Sequence, residues 1–498
     1  MKRMTLKVTW AVFGAILWHV SAPAAAVQAA FYAAAGKVDI TPDPARTAVW
    51  LAGYGVSGRR AVGVQQPIYA RALVLSDGRR TVALVAVDAI GVRREDVLSW
   101  RRELGWLEGE RYLFVAATHS HSAPDTMGLW GRFPVVSGAD AAYRRRLERS
   151  VVALVRDLSG RLEKAEVRAG RAELESEGLC TDDRDPFILD PELDVLSVRR
   201  PSGKGRARGD GAAIATLVRW SCHPATLRRA NLKISPDFPG PLCDRIEASG
   251  GGACVYFSGS IGGHLVPDTD RSAPVERQVE EARRIGGRVA EAALRALSKG
   301  EQVRGGVDFR SRTVRVPVDN PLLLSILPSL GSSRRLLDGS GAPVPAWRQY
   351  GLALRHLLLF PLPERLRPWV ETETSRVDIG PVRILGVPGE IFPELVVGGY
   401  DGSRSYGHPL IRPTNPNPPR LDRAPKGPYL RDKLRAKYGL VVGMANDEVG
   451  YLLPAYDFQA SSTRTMLPKP RGTHYDETLS LGVRATTILL DAFDAILR

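Results

Sequence analysis

The apolar and polar positions of this chain predict strands and helices that alternate along its length after the first thirty residues. Two strands, at 69–75 and 81–87, are separated by an Asp-Gly turn of the kind that closes hairpins. Further strands are predicted at 111–118, 165–172, 193–198, 214–220, 253–257, 382–387 and 440–445. Apolar spacing of three to four residues predicts helices at 95–104, 139–158, 275–297 and 481–497. We therefore expect a mixed α/β fold, a layered mixed β-sheet with flanking helices, in one large domain over residues 31–498.

The first thirty residues follow a different pattern. A basic segment, Met1–Lys7, precedes an apolar run, Val8–Val20, and small residues then allow cleavage after Ala26 or Ala30. This pattern is typical of a secretory signal peptide over residues 1–30, and the apolar run is too short for a comfortable membrane span. We expect an exported protein, either periplasmic or secreted. An uncleaved N-terminal anchor is the alternative.

Residues 319–369 differ in composition from the rest of the chain, because they are rich in Leu and punctuated by Pro. Short amphipathic helices in this segment could form a lid or a surface that touches a membrane. The more common explanation is an insertion whose Leu side chains pack on the main domain, and we favour that explanation.

Amino-acid composition and net charge exclude few classes of function. A hydrophobic fraction of 44% with 25% charged residues is ordinary for a globular protein. The formal net charge is +15, but no basic stripe is interleaved with aromatic residues, so we do not expect a nucleic-acid partner. An anionic membrane surface fits a basic exported protein better. Arg side chains spread over a solvated surface explain the charge equally well.

Four cysteines, at 180, 222, 243 and 254, allow two disulfides in an oxidising compartment. No two of them form a Cys-x-x-Cys pair, so neither a cysteine zinc site nor a redox motif is indicated. Their connectivity cannot be deduced from the spacing, and a Cys243–Cys254 bridge is the most local option.

The candidate chemistry begins with two histidines at a strand end. His119 and His121 close the strand at 111–118, and residues two apart on an extended backbone point to the same side. Imidazole is the commonest neutral zinc ligand and the usual proton shuttle. With only 8 His in the chain, this pair favours a metal or catalytic site over polar residues bonded to the backbone.

Three later segments repeat this placement. His223 ends another strand directly before a Pro, although a histidine satisfied inside the core is the alternative. A Gly-rich turn at 259–263 leads to His264 and could bring backbone N–H groups to a ligand, but it lacks the spacing of a P-loop. Glu390 also follows a strand, where a carboxylate can ligate a metal, act as a base or cap the next helix.

Four segments together resemble motifs of the neutral/alkaline (non-lysosomal) ceramidase family. They are THSHSAPD at 118–125, SCHP at 221–224, GVPGEIF at 386–392 and ANDEVGY at 445–451. Each motif is weak alone, but their order is preserved and they span most of the chain. The set is therefore fairly specific.

The resemblance implies a zinc-dependent hydrolase with named site residues. One zinc ion per chain would be held by His119, His223, Glu390 and Tyr451. His121 would be a substrate-facing catalytic residue, and Arg184 would contact the substrate. We also predict substrate contacts at Asp125, in the first motif, and along the loop formed by Gly262, Gly263 and His264.

Two departures from the family pattern affect this expectation. The family has a Gly-Asp-x-Ser-Pro segment whose Ser lies in the active site, whereas the matching GGHLVP at 262–267 has neither that Asp nor that Ser. The chain also ends after its last helix, so we expect no C-terminal immunoglobulin-like domain. The first departure puts ceramide itself in doubt as the substrate, and the second leaves the metal site unchanged.

The leading hypothesis is a zinc-dependent hydrolase of amide bonds that acts on an N-acyl sphingoid or a related acyl-amide lipid. Hydrolysis of an ester or lactone on the same metal site is one alternative. A non-catalytic envelope protein that binds lipid and holds a structural zinc is another.

Overall fold

The computed structural model describes residues 30–55, 57–133, 136–202, 211–358, 362–459 and 474–498. Apart from Ala30, the predicted signal peptide lies outside the described residues, so export stays a prediction. Within these ranges, no helix combines the length and the apolar character that crossing a membrane requires.

Helices of the described residues flank two β-sheets. They are α1 (Arg94–Leu104), α2 (Ala141–Gly160), α3 (Pro239–Ala248), α4 (Val275–Ser298), α5 (Pro321–Ser325), α6 (Leu327–Ser333), α7 (Ala346–Leu358), α8 (Pro393–Val397), α9 (Leu430–Lys433) and α10 (Val483–Leu497). Short 3₁₀ turns lie at Glu364–Leu366, Leu421–Arg423, Ala455–Asp457 and Asp476–Leu479.

The strands range from two-residue pairs to segments of eleven residues. They are β1 (Phe31–Asp39), β2 (Trp50–Leu51), β3 (Arg59–Arg60), β4 (Gly63–Val64), β5 (Tyr69–Ser76), β6 (Thr81–Val87), β7 (Arg111–Ala117), β8 (Glu163–Glu173), β9 (Thr181–Asp182), β10 (Glu192–Arg199), β11 (Ala213–Trp220), β12 (Lys233–Ile234), β13 (Ala253–Ser258), β14 (Leu265–Val266), β15 (Glu301–Val303), β16 (Val307–Pro317), β17 (Leu336–Leu337), β18 (Trp369–Ile379), β19 (Val382–Gly386), β20 (Glu390–Ile391), β21 (Tyr438–Val442) and β22 (Tyr451–Leu452).

Two mixed sheets contain most of these strands. The larger sheet has the order β13-β11-β10-β8-β1-β5-β6-β7, and β15 pairs with β8. The second sheet has the order β16-β18-β19-β21, and β17 pairs with β18. Most neighbours are antiparallel, but the pairs β6–β7, β11–β13 and β19–β21 are parallel.

Side chains of both sheets share one buried cluster, which includes Leu84 and Phe114 of the larger sheet and Ile384 and Leu440 of the second. Helices α1 and α2 pack on β5, β6 and β7, while α3 and α4 pack on β10, β11 and β13. Helix α10 covers the second sheet. Strands covered on both faces are apolar at successive positions, as in the TVALVAV of β6.

The predicted mixed α/β fold is confirmed, and the predicted helices and strands are present with small shifts at their ends. The Asp-Gly turn joins β5 to β6 as an antiparallel hairpin. The sequence prediction did not include α3 or the long strands β16 and β18. In β16, Val and Phe alternate with charged residues, a period-two pattern that indicates a strand with one exposed face.

The segment at 319–369 packs on the main domain, in agreement with the favoured explanation. It forms α5, α6, β17 and α7, and its buried residues Leu324 and Leu327 join the cluster under the second sheet. A disulfide joins Cys243 to Cys254, the most local of the pairings considered, while Cys180 and Cys222 are buried free thiols.

A buried ion pair connects the two sheets. Arg101 of α1 donates two hydrogen bonds to Glu373 of β18, at 2.7 and 2.8 Å, and Tyr112 of β7 donates a third at 2.7 Å. Burial opposes ionisation of Glu373, but Arg101 outweighs this effect and lowers the pKa of the carboxyl below its ordinary value. Each partner therefore compensates the charge of the other inside the core.

We predict that Glu373→Ala lowers the free energy of unfolding by about 3–5 kcal/mol, because it leaves the Arg101 guanidinium buried without its partner. The matched control is Glu371→Ala, two residues along the same strand, whose pairs with Arg315 and Arg94 are more exposed than the Arg101–Glu373 pair. It should cost about 0–1 kcal/mol in the same urea titration. Since the folded pKa of Glu373 is lowered, its contribution is present above the ordinary pKa of 4.5 and is lost as the pH falls. Equal losses in the two variants would contradict the prediction.

Candidate metal centre and active site

The first part of the site is the loop that follows β7. His119 lies two residues beyond the strand, and its backbone is left-handed, with φ at 68°. A non-glycine residue in this conformation is strained, and such strain is concentrated at functional positions. The backbone N–H of His119 donates to the Ala89 carbonyl at 2.9 Å, and its ring Nδ1 lies 2.7 Å from the Ile90 carbonyl oxygen. These contacts hold the ring in one orientation.

His223 is held in the same way beyond the end of β11. Its ring Nδ1 lies 2.9 Å from the carbonyl oxygen of Leu265. A carbonyl oxygen only accepts, so Nδ1 carries the proton in both His119 and His223. The Nε2 atom of each ring is then directed away from the backbone, an arrangement typical of metal-ligating histidines.

Glu390 and Tyr451 come from the second sheet. They follow β19 and β21, and they are directly paired across the short parallel strands β20 and β22. The Glu390 carboxylate lies between the two histidines, with Oε2 at 2.9 Å from Nε2 of His223 and Oε1 at 3.5 Å from Nε2 of His119. The two sheets thus bring three of the four predicted zinc ligands into contact, and Tyr451 lies beside Glu390.

His121 completes a group of three histidines. The ligand nitrogens of His119, His121 and His223 all lie within 4.8 Å of one another. The His121 ring is also 5.0 Å from the Tyr54 ring, and a Cβ on Gly53 would lie 2.7 Å from its Cγ. Both ring nitrogens of His121 are shielded from solvent, and within the described ranges they have no hydrogen-bond partner. The ring is thus held by packing alone, with both nitrogens available to a ligand.

The electrostatics of the group favour a cation. Burial and the neighbouring rings of His119 and His223 lower the pKa of His121 well below its ordinary value, so this ring is neutral near pH 7. Burial opposes ionisation of Glu390, but the two histidines lower the pKa of this carboxyl. The Glu390 carboxylate can only accept, and it faces Nε2 of both histidines, so a proton or a metal ion must lie among these atoms.

The residues present fit a metal ion. Imidazole nitrogen with carboxylate and phenol oxygen is a donor set that zinc accepts readily. His119 and His223 each have the backbone partner that orients a ligating ring, whereas His121 has none in the part of the chain that the structure describes. This difference supports His119, His223 and Glu390 as ligands, and it separates His121 from them.

Burial opposes the ionisation of two further acids of the site. Burial and the Glu390 charge raise the pKa of Tyr451 well above its ordinary value. The same two causes raise the pKa of Glu448, which lies in the motif that contains Tyr451. Glu448 was not singled out from the sequence, although it stands inside the ANDEVGY motif.

The Gly262–His264 loop lies against this centre. The sequence predicted that its residues contact a substrate, whereas the structure shows that the Gly262 backbone is already hydrogen-bonded. The Gly262 N–H donates to the Ile391 carbonyl at 2.9 Å, so it is not free to bind a substrate. A Cβ on Gly262 would lie 2.5 Å from the Phe392 ring and 2.7 Å from the Glu390 carbonyl oxygen. The absence of a side chain at Gly262 therefore allows the loop to approach the Glu390 strand. Gly263 is left-handed, with φ at 75°, which gives it a turn-forming role.

His264 does face the site. Its ring centroid is 6.3 Å from that of His223 and 5.9 Å from that of Tyr451. Its Nε2 lies 3.2 Å from Oδ1 of Asp476, a residue that no local sequence pattern marks as functional. His264 is partly exposed, whereas Asp476 is buried. The structure therefore places a histidine, oriented by a carboxylate, at the edge of the predicted metal centre.

Arg184 lies among buried carboxylates beside the site, and its contact with a substrate stays a prediction. Its buried guanidinium forms ion pairs with Asp457, Asp476 and Glu477, at 2.7, 2.8 and 3.0 Å. Burial opposes ionisation of Glu477, but hydrogen bonds with His474 and Arg184 lower the pKa of this carboxyl to about 2. Asp476 lies between Arg184 and His264, because its Oδ2 binds Arg184 and its Oδ1 lies 3.2 Å from Nε2 of His264.

Asp125 also has a structural role that differs from the predicted substrate contact. Its two carboxylate oxygens accept hydrogen bonds from four backbone N–H groups, those of Met127, Gly128, Trp130 and Gly138. A carboxylate has about four lone-pair positions, so little capacity remains for a ligand. Asp125 therefore shapes the loop behind His121.

The fold and site define a mixed α/β protein with a buried centre of histidines and a carboxylate, suited to a metal ion. No family model matches the chain. In sequence it is similar to the neutral ceramidase of Mycobacterium tuberculosis (strain ATCC 25618 / H37Rv), with 24% identity over 437 residues that cover 73% of this chain. The chain covers 66% of that relative, just under two thirds of its length.

The fold is similar to that of two solved structures. The neutral ceramidase from Pseudomonas aeruginosa matches with a TM-score of 0.64 and 17% identity over 94% of this chain and 74% of that chain. A ceramidase complexed with C2 gives the same TM-score and identity over 94% and 75% of the respective chains. Sequence and fold together confirm the predicted resemblance to the neutral ceramidase family.

We predict that His119→Ala and His121→Ala differ in zinc affinity. His119→Ala removes an oriented ligand. Loss of a residue that only hydrogen-bonds to a ligand typically weakens metal binding about 10- to 100-fold, so His119→Ala should weaken zinc binding by more than this. His121→Ala removes a ring without such orientation and should change affinity by less than about 10-fold. Competition with a chromogenic chelator, on both purified variants and the wild type, measures the difference. Equal losses would make His121 a ligand and contradict the assignment.

Proposed function

We propose that the chain is an exported zinc-dependent hydrolase of amide bonds that acts on an N-acyl sphingoid or a related acyl-amide lipid. The observation that carries the proposal is the buried contact of His119 and His223 with Glu390, beside a neutral His121 with both ring nitrogens unpartnered in the described part of the chain. The similarity to neutral ceramidases in sequence and fold supports the choice of an amide substrate.

His119, His223, Glu390 and Tyr451 would hold one zinc ion per chain. A zinc ion with such ligands lowers the pKa of a bound water to about 7 and polarises a carbonyl group. Tyr451 remains protonated by itself, because burial and the Glu390 carboxylate raise its pKa. The backbone of Tyr451 is paired in register with that of Glu390, and its phenol oxygen would supply the fourth position of the donor set.

His121 is the residue of the site suited to proton transfer. Its neutral ring can accept a proton from the attacking water and deliver that proton to the leaving amine. Packing against Tyr54 and Gly53 fixes the orientation of the ring. Little conformational entropy would therefore be lost when the ring transfers a proton. No side-chain nucleophile is needed for this reaction, in agreement with the absence of Ser from the loop at 262–267.

His264 would bind a polar group of the substrate. Its Nε2 lies 3.2 Å from Oδ1 of Asp476, and its partly exposed ring would offer a nitrogen to a substrate hydroxyl or amide N–H. Aligned on Pro267, the loop has His264 at the position of the family's Asp and the apolar Val266 at the position of its Ser. This difference favours a second candidate, ester or lactone hydrolysis on the same site, because the substrate side of the loop is altered while the predicted ligands are retained.

We predict that the zinc-loaded protein cleaves N-acylsphingosine and that His121→Ala lowers kcat by about 10²- to 10⁴-fold while zinc stays bound. Release of sphingosine, measured by chromatography beside the zinc content, tests both parts. The control is His408→Ala, which removes an exposed histidine stacked on Phe187 and should leave kcat unchanged.

The possible outcomes separate the candidate functions. Cleavage of a short acyl ester but not of the matching amide would replace amide hydrolysis with the ester alternative. Zinc binding without hydrolysis of either substrate would contradict the catalytic proposal and leave the non-catalytic alternative. Loss of zinc from His121→Ala would contradict the proton-transfer role.

A further inference from the structure

Helix α7, within the segment at 319–369, exposes an apolar face. Its exposed large side chains, with their accessible fractions, are Trp347 (76%), Tyr350 (65%), Leu354 (58%), Leu357 (47%) and Leu358 (71%). At 100° per residue these positions lie within an arc of about 100° on the helix surface. Leu352, Ala353 and His356 lie opposite and are buried against the domain. The helix is thus apolar on both sides, and only the inner side has a partner in the described residues.

Basic side chains border this face. Arg355 and Arg348 lie about 60–80° beyond one edge of the exposed arc, and Arg355 is itself exposed. Arg348 forms a partly exposed pair with Asp338. The chain as a whole has a formal net charge of +15. Aromatic and leucine side chains beside arginines are typical of helices that lie in the plane of an anionic membrane surface.

The helix belongs to a segment attached to loops of the candidate active site. Asn320, at the start of α5, donates to the backbone carbonyls of Glu477 and Ser480 at 2.6 and 2.7 Å. Glu477 is the neighbour of Asp476, which holds His264. Arg334, just after α6, forms an ion pair with Asp447 and donates to the Glu448 carbonyl, in the motif that supplies Tyr451. The segment that carries the exposed face is therefore hydrogen-bonded and ion-paired to loops beside the site.

We propose that the exposed face of α7 docks on an anionic lipid bilayer and holds the active site at the membrane surface. The functional role of this docking rests on the proposed lipid substrate. Binding to a bilayer that contains no substrate can still be measured independently of catalysis. The charge beside the face selects a bilayer over a second copy of this chain, because two such faces would bring like-charged arginines together. Docking would present the site to acyl-amide lipids that stay in the bilayer.

The test is cosedimentation of the full chain with substrate-free vesicles, made of phosphatidylcholine alone or with one quarter phosphatidylglycerol. We expect binding to the anionic vesicles, weakened by salt. The triple variant Trp347→Ser/Leu354→Ser/Leu358→Ser should bind them more weakly, by about 10-fold for each large apolar side chain removed. Arg355→Glu should weaken binding to the anionic vesicles and leave the phosphatidylcholine result unchanged.

The matched control is Leu107→Ser, which removes an exposed leucine (49%) before β7, at the end of that strand away from His119. It should bind as the wild type does, and thermal unfolding should show that all variants are folded. Equal binding of the triple variant and the wild type would overturn the proposal. A wild-type dimer in light scattering that becomes monomeric in the triple variant would assign the face to a second copy instead. Hydrolysis of dispersed substrate is measured separately, so a failure of either proposal leaves the other open to its own test.

Discussion

The contact between Glu390 and the two oriented histidines is the constraint on which the site depends. A carboxylate and two Nε2 acceptors lie within 3.5 Å in a buried space, an arrangement that repels unless a cation or a proton lies among them. His119 and His223 follow strands of one sheet and Glu390 follows a strand of the other. The packing of the two sheets therefore forces these groups together, and the donor set that results is suited to zinc.

The surrounding structure keeps that geometry fixed. The buried pair of Arg101 and Glu373 connects the helix beside β7 to the second sheet, and Asn446 donates to Tyr112 within the same network at 3.1 Å. Left-handed backbone at His119, His264 and Asn446 places strain in three of the loops that meet at or beside the site. Such conformations persist only where the surroundings determine them, so the loops are rigid supports for the site residues.

Charge around the site is arranged in two groups. On one side the histidines lower the pKa of Glu390, while burial raises the pKa of Tyr451 and of Glu448. On the other, Arg184 neutralises a cluster of buried carboxylates, and one of these, Asp476, orients His264. The exposed face of α7 belongs to a segment bonded to both groups of loops, through Asn320 and Arg334. The surface proposed to bind the bilayer would thus be attached, through these bonds, to the loops of the proposed catalytic centre.

The sequence by itself determined the alternation of strands and helices, because apolar periodicity is a local property. It also indicated that His119, His223 and Glu390 are site residues, since each follows a strand and stands in a short motif. Only the tertiary structure decided what Arg184, Asp125 and Gly262 do. Their partners lie elsewhere in the chain, or in backbone groups whose positions depend on the folded loop. The position of Asp476 beside His264 likewise depends on packing between segments distant in sequence, and so does the choice of which side of α7 stays exposed. No local pattern encodes such packing.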